Sequence, residues 1–227
     1  ATPRFALRYD PHETIALRAG FGWGYRAPGF KELLLRFENP GVGYVVEGSP
    51  SLKPETLQNV NAGVDWTVTE KLQLSLSGYR NDVDNLIGIS TLRNEGTGPT
   101  QYGYVNIDQA VTQGGEFNVG IRPTKMSSIM VGYTLNDTLD RSNDRALEGR
   151  SLHRVSGHIQ QYIPPTGTSI HVRGAWDGGK PYYVDIDGDE QEETVTTDPT
   201  TLVDARLAQP ISLNRTKLQL FVGSENI

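Results

Sequence analysis

The side chains in this sequence with obvious chemistry are four histidines, one dense run of acids and a scatter of arginines. His12, His153, His158 and His171 are dispersed, and only His158 and His171 flank one expected hairpin turn, where they could approach across two strands. They read as solvated side chains rather than a transition-metal site. No nucleophile elbow or distinctive Ser, His and Asp spacing supports hydrolysis. The absence of cysteine removes disulfides, thiolate metal sites and cysteine nucleophiles. The chain is therefore not expected to be an enzyme.

The acidic run is Tyr182–Glu193, YYVDIDGDEQEE. Asp185, Asp187, Asp189 and Glu190 gather carboxylates around Gly188, which permits a tight turn. Calcium takes about six to eight oxygen ligands and would relieve the repulsion among them. The Gly and terminal Glu positions do not match an EF-hand. A solvated acidic loop is the ordinary reading, and a Ca2+-ordered loop with those four residues as ligands is the alternative. No other cofactor is indicated.

The elements that must carry these residues are strands. In Asn59–Val68, Val60, Ala62, Val64, Trp66 and Val68 alternate with Asn59, Asn61, Gly63, Asp65 and Thr67. In Thr201–Ala208, Val203, Ala205 and Leu207 alternate with Asp204 and Arg206. This period of two predicts strands with one apolar and one polar face. Ten such strands can be drafted: Arg4–Tyr9, Glu13–Trp23, Leu57–Val68, Lys71–Asp82, Tyr102–Ile121, Met126–Leu135, Leu152–Ile163, Thr168–Trp176, Thr201–Ala208 and Lys217–Val222. Short connections fall at Asp10–His12, Thr69–Glu70, Arg122–Lys125, Pro164–Gly167 and Pro210–Arg215. Long ones fall at Gly24–Thr56, Val83–Gln101, Asn136–Ser151 and Asp177–Thr200. Antiparallel pairing then puts every long loop at one end.

That alternation is the pattern of an outer-membrane barrel, which turns its apolar face to lipid and its polar face to a wet lumen. A soluble sandwich or carbohydrate-binding module would hide the apolar face instead. The apolar content of 36% is low for a globular domain and suits a polar lumen. No run of about eighteen apolar residues offers a helical span, which says nothing of β-spans. An arginine on the lipid midplane costs about 2–4 kcal/mol, so Arg18, Arg173 and Arg206 are expected to face the lumen. Tyr9, Trp23, Trp66, Tyr133, Tyr162 and Trp176 fall near strand ends, where interfacial belts form. A net charge of −6 argues against general nucleic-acid binding. No leader precedes Ala1, so the chain is expected to start inside a larger protein or after processing.

The motifs narrow the reading. Tyr25, Arg26, Ala27 and Pro28 (YRAP) are followed by Gly29–Leu33. Next comes Gly48–Glu55 (GSPSLKPE), which holds Leu52, Lys53, Pro54 and Glu55. Thr56–Trp66, Asn106–Glu116 (NIDQAVTQGGE) and Leu218–Ile227 (LQLFVGSENI) continue the series. In this order the pieces resemble TonB-dependent outer-membrane receptors of the siderophore, cobalamin and haem type.

The resemblance implies an all-β, antiparallel transmembrane barrel of about twenty-two strands around an N-terminal plug. This chain would supply about ten of them, similar to strands twelve through twenty-one. The plug, first barrel half and closing strand would lie outside the chain, and residues 1–227 would form one partial barrel domain. The implied function is uptake of a scarce nutrient, a ferric siderophore or similar metal chelate. The implied partners are the TonB complex reached through the plug, outer-membrane lipid and the chelate itself. Arg18, Arg173 and Arg206 would attract an anionic chelate, with lumen solvation and ion pairing as their ordinary role. Haem receptors of this kind place a His between the two motifs, and none occurs from Pro28 to Pro50. Haem ligation through this loop is therefore not expected. A passive pore or adhesin barrel is the alternative function.

Overall fold

The computed structural model describes residues 2–93, 99–184, 192–213 and 216–226. In chain order the elements are β1 (Arg4–His12), β2 (Ile15–Arg26), α1 (Phe30–Leu34), β3 (Arg36–Asn39), β4 (Tyr44–Glu47), β5 (Glu55–Thr69), β6 (Leu72–Arg93) and β7 (Thr100–Ile121). They continue with β8 (Ser127–Asp140), β9 (His153–Ile163), β10 (Thr168–Asp177), β11 (Pro181–Val184), β12 (Glu193–Thr196), β13 (Thr200–Leu213) and β14 (Thr216–Ser224). Ten of these form one antiparallel path, β1-β2-β5-β6-β7-β8-β9-β10-β13-β14. They are the ten strands drafted from sequence.

Register makes the two faces of the sheet chemically opposite. One cross-strand row reads Leu17, Val64, Leu76, Phe117, Tyr133, Val155 and Trp176. The row beside it, on the other face, reads Arg18, Gly63, Ser77, Glu116, Thr134, Arg154 and Asp177. A strand reverses its side chains at every residue, so one register unites each set. The apolar face stays uncovered: Leu76, Val131 and Ile159 are 54%, 49% and 48% exposed. On β2 it runs from Ile15 to Trp23, about 26 Å of strand and about 20 Å of height at a tilt of about 40°. Water does not tolerate so continuous an apolar surface, whereas a bilayer requires one. Of the aromatic set, Tyr162 pairs with Ser169 and so shares the polar face instead.

The structure corrects several boundaries. Pro11 does not end β1; it lies within it, where the register to β2 shifts between Tyr9 and His12. An outer strand with a bulge accommodates a residue that cannot donate to the ladder. The turn is tighter, and His12 braces it through Nδ1, 2.9 Å from Thr14 Oγ1. Pro210 likewise lies within β13, past Ala208, where the pairing with β10 ends.

Three long connections also carry structure. The segment drafted as a loop from Val83 is largely strand, because Asn85 adopts φ 56° and is skipped in the pairing of β6 with β7. Asn is one of the few residues that visits this region readily. Residues 27–54 fold into α1 and the β3–β4 hairpin, and β4 adds to β7 as a parallel strand. The β11–β12 hairpin forms beyond β10.

Candidate functional site

The polar face is cross-linked by short side chains. Asn61 Nδ2 donates to Asn59 Oδ1 (2.8 Å), Asn59 Nδ2 to Asn81 Oδ1 (2.7 Å), and Asn81 Nδ2 to Thr112 Oγ1 (3.0 Å). Beneath that ladder Tyr79 reaches across β7 and donates to Asn136 Oδ1 at 2.7 Å. It passes over Gly114, where a Cβ would lie 3.1 Å from the phenol oxygen and press on the Leu135 carbonyl. Gly114, the first glycine of the NIDQAVTQGGE motif, therefore contributes a strand surface low enough to be bridged.

All three candidate arginines lie on this polar face, and the structure brings only Arg173 and Arg206 together. Arg18 pairs with Asp65 at 2.8 Å, and Arg173 pairs with Asp204 at 3.0 Å. Arg206 stacks over the Phe221 ring, 4.6 Å from its centroid. Arg173 and Arg206 are diagonal neighbours on β10 and β13. Arg18 on β2 is six strand steps from β10, about 29 Å along the sheet at about 4.8 Å per step. Around Arg173 the wall forms a concavity of ≈ 370 Å³ lined by Asn118, Arg154, His158 and Asp204 among others. Arg154 is paired with Asp177 at 3.3 Å. His158 is opposite Arg173 and His171 opposite Arg206, so the two imidazoles are not cross-strand partners. Among the described residues no group of three His, Asp or Glu could hold a metal ion. Asp185, Asp187, Asp189 and Glu190 lie outside the described residues.

Three of the family-motif residues, Arg26, Lys53 and Glu55, take part in a clamp at the long-loop end. Arg26, the last residue of β2, donates from Nε and Nη2 to the two Glu55 oxygens at 2.7 and 2.6 Å. Its Nη1 donates to Glu32 of α1 at 2.8 and 3.1 Å. Glu55 also accepts the Ile87 N–H at 2.8 Å, and Glu32 accepts the Gly29 N–H at 2.6 Å. A guanidinium presents its donors as a flat fork, which suits two carboxylates at once. The Glu55 and Glu32 side chains are only 13% and 17% exposed. Burial alone would push the Glu55 carboxyl up; the Arg26 fork and the Ile87 N–H outweigh it and hold it below its ordinary value. Glu32 is held low by the Gly29 N–H first and by Arg26 second. Arg26 itself, bonded to Glu55 and then Glu32, is held above the ordinary guanidinium value.

Asn106 completes the clamp. Its Oδ1 accepts the Lys53 N–H at 2.8 Å, while Nδ2 donates to the carbonyls of Lys53 (3.0 Å) and Asn85 (2.8 Å). Three motifs distant in sequence thus meet at one point. Tyr25 points to the other face, opposite Thr56, and Leu52 closes a turn through its N–H to Ser49. Above the clamp Phe37, Tyr44 and Tyr102 form a row, with centroids 6.0 and 6.2 Å apart. Glu32, Asn106 and the aromatic row were not singled out from sequence. Asn106 lies inside a quoted motif, but nothing local in the sequence reveals a partner fifty-three residues away.

Comparison with known proteins agrees with this architecture. The family model described as TonB dependent receptor-like, beta-barrel matches residues 1–227. The iron-regulated outer membrane virulence protein of Vibrio cholerae serotype O1 is 30% identical over 157 residues, 66% of this chain and 24% of that protein. A ferric enterobactin receptor structure from Pseudomonas aeruginosa superposes with a TM-score of 0.73 at 21% identity, covering 100% of this chain and 34% of that one. The siderophore receptor PirA from Acinetobacter baumannii gives 0.72 at 16% identity, with 100% and 36% covered. The chain thus spans about a quarter of the curated relatives' length and about a third of the solved receptors'. The family comprises receptors and transporters, not enzymes. The chain belongs to the TonB-dependent receptor-like β-barrel family of the bacterial outer membrane.

Proposed function

We propose that this chain is part of the wall and rim of a receptor that takes up a ferric siderophore or similar metal chelate, energised through TonB. The observation that carries the reading is the two-faced ten-strand path, apolar on one side and carrying ion-paired arginines and an amide ladder on the other. Its ends, β1 and β14, present unpaired ladder edges among the described residues, which lipid does not tolerate. Further strands would close them, in a barrel of about twenty-two strands around a plug. The ten strands would be about the twelfth to the twenty-first, and residues 1–227 would be one partial barrel domain. The relatives' names, an iron-regulated protein, a ferric enterobactin receptor and a siderophore receptor, support an iron chelate as cargo.

In this reading the polar face lines the lumen. Arg173, Arg206 and Arg18 bias it towards an anionic chelate, although Asp204 and Asp65 neutralise two of them. The YRAP and LKPE residues build the rim and do not touch cargo. Binding can be tested on the purified full-length receptor in detergent with ferric enterobactin as probe, alongside planar-bilayer conductance. Saturable binding without a standing conductance supports a plugged receptor. An open conductance without saturable binding would make the protein a passive pore.

A further inference from the structure

A loop of twenty-eight residues, 27–54, would ordinarily be free to move above a barrel rim. Here both of its ends meet the same clamp. Arg26 precedes it, Glu55 follows it, and Glu32, six residues into it, is the third member of the ion triad. Asn106 holds Lys53 beside them. The middle is fastened separately: Gly48 and Ser49 donate to the carbonyls of Leu35 (2.6 Å) and Glu32 (2.8 Å), and Thr100 donates to Gly43 (2.9 Å). Gly48 lies so close to α1 that a Cβ would fall 2.6 Å from Leu34 N. With β4 paired to β7, the hairpin extends a strand pair of the main sheet.

We propose that Arg26 and Glu32 are positioning residues. Their ion pair latches the α1 and β3–β4 segment to the rim, making residues 27–54 a fixed outer wall rather than a moving lid. This wall holds Phe37 and Tyr44 in one row with Tyr102. Tyr102 has the parity of Asn106 and Thr112 on β7, so the row is presented on the side of the sheet that carries the polar wall. Glu32 is the informative residue. It belongs to the loop, so removing its charge breaks the ion pair between α1 and the rim while leaving the Arg26–Glu55 pair between β2 and β5 and the Asn106 hold on Lys53.

The latch is independent of what the receptor carries and can be tested without cargo. This chain has no cysteine, so a spin-label pair can be placed in the full-length receptor, with any cysteine elsewhere replaced. Val42→Cys sits in the hairpin turn, 74% exposed, and Gln58→Cys provides a reference on β5. The unsubstituted clamp is expected to give one narrow distance distribution. Glu32→Gln should broaden it at least twofold, Arg26→Gln further, and Arg26→Lys less than Arg26→Gln. The electrophoretic mobility of the unheated barrel should stay unchanged for Glu32→Gln. If Arg26→Gln does not assemble, Asn106→Ala opens the clamp without altering its charge and should broaden the distribution too. A broad distribution in the unsubstituted protein, or a narrow one in Glu32→Gln, would overturn the proposal.

Discussion

Asn118 and Val119 are adjacent on β7 and point to opposite faces, so the same arginine placed at each reads out the two environments. Val119 faces Leu74 and Val131 on the apolar face, two residues from the end of β7 at Ile121. Val119→Arg therefore turns a guanidinium to lipid, at a cost of up to about 2–4 kcal/mol, the value at the bilayer midplane. At about 1.4 kcal/mol per tenfold, that is up to about a 30- to 700-fold loss in the folding equilibrium. Asn118 faces Ser75 and Gly132, and Gly132 leaves the added side chain room on its side. Glu116 shares its face two residues away. Asn118→Arg is expected to change stability by less than about 0.5 kcal/mol, as at other solvated sites. Reversible urea unfolding of the full-length receptor in lipid vesicles measures both. Equal costs, or a larger cost at Asn118, would refute the assignment of faces.

Three further outcomes follow from the same geometry. Gly48→Ala drives a methyl group into the α1 backbone, so the 27–54 loop should become cleavable by added protease while the strands stay resistant. Glu55 and Glu32 titrate below their ordinary value of 4.5 in the folded protein. Their stabilisation is therefore complete above about pH 4.5 and is lost as pH falls through the lowered values. Loop protection from protease should hold from pH 8 to pH 5 and fall only in stronger acid; loss of protection near neutrality would contradict this. The 185–190 acidic run is expected to behave as a solvated loop, with no saturable calcium uptake by calorimetry. Tight uptake abolished by Asp187→Asn would instead establish a calcium site.

Much of the path was legible because alternation is local. Val60 to Val68 and Val203 to Leu207 announce β5 and β13 within a few residues, and parity alone places Arg18, Arg173 and Arg206 on one face. What parity does not carry is distance along the sheet, so the three arginines look like a set in sequence, yet Arg18 stands six strand steps from Arg173 and its neighbour Arg206. Turn chemistry misled where tertiary pairing prevailed. The Asp-Val-Asp-Asn stretch ending at Asn85 resembles a loop, yet one left-handed residue lets β6 continue to Arg93. Pro11 and Pro210 resemble breaks, yet each stands where a bulge or the end of the neighbouring strand makes no demand on its nitrogen. The clamp was beyond sequence reasoning, because Arg26 and Glu55 are twenty-nine residues apart and no periodicity links them.

Uptake in living cells tests the central claim most directly. Iron-limited cells carrying the full-length receptor would be given radiolabelled ferric enterobactin, with and without a functional TonB complex. The account predicts surface binding in both strains, and accumulation inside only where TonB is present. Equal accumulation in the two strains would show a passive route and contradict it.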